Sequence, residues 1–393
     1  MVIVEKLKQY PLVLWALALY LCSLGFNLKY DIPLSVLAIS TIYAFGSGDN
    51  TTRIKQTLFD HWHVIVFLLL TLVVTFFSRD IKQSIHVQLQ LLPALLIYVI
   101  IVNFVTDQRR FNFVFVAIIF GALITELTFL GQAIYFYQTP DPLEKIWAIK
   151  SPLLVAPNDV LFFSVLVPVA VSLGLATGDE LKVKILGYLY LAITLVLVIY
   201  MRSRQAVGIY FVGLCLIALF YRPVAGIVVA AISVLVIIVV DWATGRALSS
   251  KLVYLFPRRY VWEAAWQMFI DRPWQGQGPG MFKLMYHEFL ERAGYTLAQV
   301  EDRRPMNWAH SLYLEQLAER GVLGFLALIL LVGRPVVLMI MSPIPLNFNK
   351  KILLSMFLAF SMAGLAETSL LRLWVVVFIF LLIGLMVSKG SRA

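Results

Sequence analysis

Charge is scarce in this 393-residue chain. Asp, Glu, Lys and Arg together make up 14% of it, against about a quarter in ordinary soluble domains, so a water-clad globular surface is excluded. Cysteine is nearly absent. Cys22 and Cys215 both fall in apolar stretches, which leaves no disulfide framework and no cysteine-based metal site. Acidic pairs of the DxD type are missing from the polar segments: Asp241, Asp271 and Asp302 stand alone, and Glu301-Asp302 runs straight into Arg303-Arg304. No metal site and no cofactor are therefore expected. No repeat of about 20–50 residues occurs, which sets aside a solenoid or a plainly duplicated transporter, although a diverged inverted repeat would not show in this way.

What fills the chain instead is apolar sequence, 61% hydrophobic residues with a mean hydropathy of +0.87. A helix needs about 20 mostly apolar residues to cross ~30 Å of hydrocarbon. Segments of that kind recur at 10–27, 31–46, 62–78, 90–105, 111–132, 158–177, 184–201, 205–220, 224–241, 317–341, 352–367 and 371–388. The expected fold is all-α: one integral membrane domain over residues 1–393, with about twelve transmembrane helices. The first span carries a basic flank but no small-residue cleavage site, so it reads as retained rather than as a signal peptide.

Short-loop Lys and Arg mark the cytoplasmic side. Lys6, Lys8, Arg53, Lys55, Arg109, Arg110, Lys182, Lys184, Arg222, Arg334, Lys350, Lys351, Lys389 and Arg392 fall on alternate ends of successive spans. Both termini are then cytoplasmic. One long external segment, 242–316, holds short amphipathic helices, and the loop 133–157 caps the same face. Trp242, Trp262, Trp266, Trp274 and Trp308 in the long segment suit headgroups or sugar rings. The net charge of +10 suits anionic phospholipid or a pyrophosphate, and nucleic acid is not expected as a partner.

Three clusters on the external side hold the candidate chemistry. Arg202 and Arg204 lie between two spans with almost no loop. Each reads as a snorkelling anchor or, since a planar guanidinium grips phosphate oxygens at two points, as a phosphate clamp. Trp262, Ala265, Trp266 and Phe269 recur at helical spacing. A surface helix is thus expected over 259–270, with Arg258 and Arg259 at its start. The following DRPWQGQGPG breaks it and reads as a structural re-entry turn. Asn307, Trp308 and His310 precede Glu315, Glu319 and Arg320 at the mouth of a helix entering the membrane. If that helix has begun by Asn307, then Asn307, His310, Leu314 and Leu317 share a face. Taken alone, such a histidine is more often a hydrogen-bonded anchor than a catalyst. Gly321 and Gly324 read as a small-residue face for a neighbouring helix. Glu126 and Glu367, buried acids, are expected to pair with arginines, Glu367 with Arg372.

Several of these segments together resemble the O-antigen ligase family and the related protein O-oligosaccharyltransferases. His310 and Ser311, followed after nine residues by Gly321 and then Gly324, are similar to that family's histidine motif, with Ser311 where Asn is commoner. Arg259, Trp262 and DRPWQGQGPGMF are similar to its arginine-tryptophan segment. Ser203-Arg204 resembles its Ser-Arg motif, and APNDV around Asn158 its Pro-Asn segment. The resemblance implies a glycosyltransferase of the multi-span, glycosyltransferase-C-like kind, working at the periplasmic face of a bacterial inner membrane. Its donor would be an undecaprenyl-diphosphate-linked glycan, its acceptor a lipid A core sugar, and its surroundings membrane lipids. His310, Arg259 and Arg204 would be catalytic, with Arg202, Arg258, Asn307, Trp262 and Asn158 binding substrate. An O-antigen or exopolysaccharide polymerase, a protein O-oligosaccharyltransferase and a lipid-glycan transporter are the alternatives.

Overall fold

The structure, a computed structural model, describes residues 10–23, 31–46, 60–137, 160–175, 181–201, 203–243, 256–296, 299–300, 306–342, 347–365 and 368–391. Every regular element among them is helical. In chain order these are α1 (Leu12–Ser23), α2 (Asp31–Gly46), α3 (Trp62–Phe76), α4 (Ile81–Leu89), α5 (Leu91–Phe104), α6 (Gln108–Tyr137), α7 (Leu161–Val165), α8 (Val167–Gly174), α9 (Leu181–Tyr200), α10 (Arg204–Tyr221), α11 (Pro223–Ala243), α12 (Phe256–Asp271), α13 (Phe282–Arg292), α14 (Leu312–Ile340), α15 (Phe348–Gly364) and α16 (Leu373–Val387).

By length and composition, 4 of the described helical stretches can cross a bilayer: Ile81–Phe104, in which α4 and α5 run on from each other, Gln108–Gly131, Leu181–Tyr200 and Leu312–Ile340. Shorter apolar helices occupy most of the other expected spans. The segment 158–177 differs most from expectation. Its described part is two short helices, α7 and α8, which meet at Leu166. Pro168 sits in the first turn of α8, where its missing N–H costs nothing.

Two kinds of apolar helix emerge. On α11 the residues Val224, Ile227, Ile232, Val234, Leu235 and Ile238 are all more than half exposed. An apolar stripe of that extent is stable only with lipid as its solvent. On α16, the most apolar helix of all, every residue from Trp374 to Val387 is buried. It is a central strut packed on α5, α14 and α15. Phe380 meets the rings of Phe67 and Tyr98, Phe378 meets Phe360, and Gly384 lets Tyr98 and Ile101 come close.

Polar residues collect at opposite ends of this bundle. Helices α3 and α14 run antiparallel. Late in α14, Arg334 Nη1 donates to the Asp60 carbonyl (2.9 Å) and lies 2.9 Å from His63 Nδ1, beside the start of α3. At the same rim Gln108 bonds Asn349 and Gly390 N donates to the Val105 carbonyl. The opposite rim carries the turn 77–80, helices α12 and α13, the start of α14 and the segment 368–372. Helix α10 ends beside Phe348, which the Tyr221 ring meets edge-on at 6.2 Å, so the helix starts, at Ser203 and Arg204, towards the second rim.

Candidate functional site

The second rim is organised around a break in α14. Gly321 has φ 60 and ψ −165, which interrupts the helix after its first nine residues. The backbone groups freed there are taken up by the turn after α12. Gln277 N donates to the Ala318 carbonyl (3.0 Å) and Gly278 N to the Glu319 carbonyl (2.8 Å). In return Val322 N donates to Pro273 (2.8 Å) and Leu323 N to Trp274 (3.2 Å). Inside a membrane an unsatisfied backbone group is costly, and irregular chain survives only where other protein covers it. The turn also holds the loop after α3, since Arg79 N donates to the Gln277 carbonyl and Ser84 Oγ to that of Pro279. DRPWQGQGPG is therefore the structural turn expected from its prolines and glycines. Gly321 is not a helix-packing surface: a Cβ there would collide with the carbonyl of Trp274. Gly324 likewise leaves room for the side chain of Arg320, not for another helix.

Helix α12 begins at Phe256, three residues earlier than expected, with Pro257 in its first turn. Arg259 Nε pairs with Glu263 Oε1 at 2.7 Å, one turn along, and its Nη2 donates to the Tyr295 hydroxyl at 3.3 Å. Its side chain is 60% exposed. The hydrogen bond to Glu263 raises the Arg259 pKa further. Burial alone would raise the Glu263 carboxyl, but the bonds from Arg259 and Tyr295 hold it below its ordinary range. The guanidinium is thus steered from one edge while the other stays open to a ligand. Trp262, half-buried on the same helix, encloses an indole N–H with no protein partner among the described residues. Arg258 is half-buried beside Arg259.

An ion-pair ring closes this end of the bundle. Asp271 binds Arg79 (3.0 Å) and Arg292 (2.9 Å), Glu288 binds the same two arginines (3.5 and 2.6 Å), and both guanidiniums lie over the Phe289 ring. Burial would raise the Asp271 carboxyl, but hydrogen bonds from Gln277, Arg292 and Arg79 outweigh it and hold the group below the usual carboxylate range.

Helix α14 begins at Leu312, not at Asn307. Ser311 is its N-cap, the hydroxyl accepting from Leu314 N at 3.5 Å. A serine caps as well as an asparagine, so the departure from the commoner residue keeps the local geometry. Asn307 and His310 consequently lie on an irregular segment and share no helical face. Asn307 is exposed and His310 half-buried. His310 has φ 52, the one positive φ outside glycine among the described residues. Its ring sits 5.9 Å from that of Trp308, which the Arg372 guanidinium covers at 4.3 Å.

Beneath His310 lies a polar band that the sequence reading left unassigned. Glu315, Gln316 and Glu319 are fully buried and Arg320 is 2% exposed. Glu315 accepts from Ser369 Oγ and from Ala309 N (3.3 Å), and Glu319 accepts from Phe282 N (3.1 Å) and approaches Arg320 at 3.5 Å. Spacing offered a clue. Residues 315, 316, 319 and 320 repeat at i, i+4, the pattern of one inward face.

Glu126 departs from expectation. It accepts from Thr194 on α9 and pairs with no arginine among the described residues. Glu367, Asn158 and Arg202 lie outside the described residues. Arg204 is described only as the first residue of α10, where Ser203 caps the helix by accepting from Ala206 N (3.4 Å). The structure packs the helix of Arg259 directly on α14, which follows His310, and sets the start of α10 on the same rim. Among the described residues no three His, Cys, Asp or Glu side chains form a metal-binding group.

Residues 186–329 match the O-antigen ligase family. The matched stretch runs from α9 into α14 and holds Arg202, Arg204, Arg258, Arg259, Trp262, Asn307 and His310, while Asn158 falls outside it. A comparison with curated proteins finds no match. This stretch of the chain is similar to the O-antigen ligase family, and it is carried by a helical bundle with membrane character.

Proposed function

We propose that the protein is an O-antigen ligase. It would move a glycan from an undecaprenyl-diphosphate carrier to a sugar hydroxyl of lipid A core, at the periplasmic face of the inner membrane, without a metal. The observation that carries this reading is the coincidence of the family match with a single rim. Arg259, His310 and the helix start bearing Arg204 all lie within residues 186–329 and on one end of the bundle.

In this reading Arg204 and Arg259 bind the carrier diphosphate and offset the charge of the leaving group. Glu263 and Tyr295 aim Arg259, so its free edge is preset for phosphate oxygens. Arg258, Asn307, Trp262, Arg202 and Asn158 contribute to substrate binding. His310, as neutral imidazole, accepts or orients the proton of the acceptor hydroxyl while that oxygen attacks the anomeric carbon and the glycosyl–phosphate bond breaks.

One reconstitution tests it: purified protein in lipid nanodiscs, undecaprenyl-diphosphate-linked glycan, and lipid A core as acceptor, with EDTA present. Glycan is expected on the core, with loss of about 10²-fold or more in His310→Ala and a clear loss in Arg259→Lys, since a point charge cannot replace the fork. Longer carrier-linked glycan with a bare core would make the protein a polymerase. Transfer that vanishes with EDTA would overturn the metal-free mechanism.

A further inference from the structure

We propose that Glu315 is a positioning residue for His310, anchored by Ser369; this rests on the reading of His310 as the group that handles the acceptor hydroxyl. At φ 52, His310 holds a backbone conformation that side-chain-bearing residues rarely adopt and that persists only where its surroundings over-determine it. The flanking residues supply that restraint. On one side the Ala309 N–H donates to Glu315 Oε2 at 3.3 Å, and on the other Ser311 Oγ caps Leu314 N. Both ties lead into the first turn of α14.

The other carboxylate oxygen of Glu315 accepts from Ser369 Oγ, on the segment between α15 and α16. Three residues further on, Arg372 lies over Trp308, two residues before His310. The His310 segment is therefore pinned to residues 369–372 at two points, one polar and one cation–π. Ala309, Glu315 and Ser369 are all fully buried. Water cannot replace the bridge, so its loss would strand a backbone donor and a hydroxyl. Glu315 acts through the backbone of Ala309, and what the place demands is hydrogen-bond capacity. A glutamine can satisfy it, since its oxygen accepts from Ala309 and its amide donates to the serine oxygen. A leucine of similar size cannot.

The test uses the full chain in nanodiscs with carrier-linked glycan and lipid A core, following initial rates, donor KM and melting temperature for Glu315→Leu, Glu315→Gln, Ser369→Ala, the Glu315→Leu/Ser369→Ala pair and His310→Ala. Glu315→Leu is expected to lower kcat by on the order of 10²-fold with donor KM unchanged, the scale of a misplaced catalytic group. Glu315→Gln should recover most of that loss, and Ser369→Ala should lose less than Glu315→Leu. The pair should be no slower than Glu315→Leu alone, because both changes break one bridge. A normal kcat in Glu315→Leu, or an equal loss in Glu315→Gln, overturns the proposal. Should Glu315→Leu fail to fold, Ser369→Ala decides: a fall in kcat at an unchanged melting temperature supports positioning, and a normal kcat overturns it. Wild-type transfer by His310→Ala would bring down the functional reading and this inference with it. A silent His310→Ala beside normal Glu315→Leu and Ser369→Ala removes only the positioning role.

Discussion

Gly321 holds α14 open so that the turn from Pro273 to Gly278 can bond into it. Replacing it with alanine adds strain of about 1–3 kcal/mol at this φ and forces a methyl into the Trp274 carbonyl. Gly321→Ala should therefore lower the melting temperature and abolish transfer together, measured in one nanodisc preparation; a variant with normal stability would mean that the break is dispensable. Asp271 gives a pH dependence at the same scale. Its folded pKa lies below its unfolded one, so the ion-pair ring stabilises the protein at neutral pH. That contribution is lost as pH falls through the folded value, below the ordinary carboxylate range. Melting curves taken from neutral to acid pH should fall less steeply for Asp271→Asn than for the parent. Equal slopes would show that the ring contributes nothing. Arg259 and Glu263 are legible in sequence as an i, i+4 pair. The Glu126–Thr194 bond joins residues 68 apart, and the contact of Glu315 with Ser369 is comparably remote.

At the scale of elements, α11 and α16 look alike on paper, since both are almost unbroken runs of aliphatic residues. A helix apolar on every side can face lipid or protein, and periodicity cannot choose between them. Their packing makes opposite predictions. Phe380→Ala removes a ring lodged between Phe67 and Tyr98 and should destabilise the fold by about 3 kcal/mol. Val234→Ala, on the lipid side of α11, should stay within about 0.5 kcal/mol. Denaturation in mixed micelles measures both, and similar losses would deny α16 its central place. At the helix ends, Ser203 and Ser311 are N-caps, a role suited to a serine side chain, and the start of α14 at Leu312 leaves Asn307 and His310 off the helix.

For the whole molecule, the polar residues divide between two rims. Arg109, Arg110, Arg334, Lys350 and Lys389, expected to be cytoplasmic, all belong to one rim. Lys283 and the α12–α13 region belong to the other. With Cys22 and Cys215 replaced by alanine, a cysteine at Lys283 should react with a membrane-impermeant maleimide in intact spheroplasts, and one at Arg109 only after permeabilisation. The reverse pattern would turn the site towards the cytoplasm.

Composition and spacing by themselves determined that this is a helical membrane protein with one long polar segment. They also marked Arg204, Arg259 and His310 as candidates, open between anchoring and chemistry until the family resemblance is added, because transfer to lipid and helical spacing are local properties. The tertiary structure alone decided which apolar helix is central and why α14 breaks at Gly321. It also decided how His310 is held in a left-handed backbone by the carboxylate of Glu315 and, behind it, a serine from the segment before the last helix. Those outcomes depend on which groups remain unsatisfied once the helices pack, and no single segment carries that information.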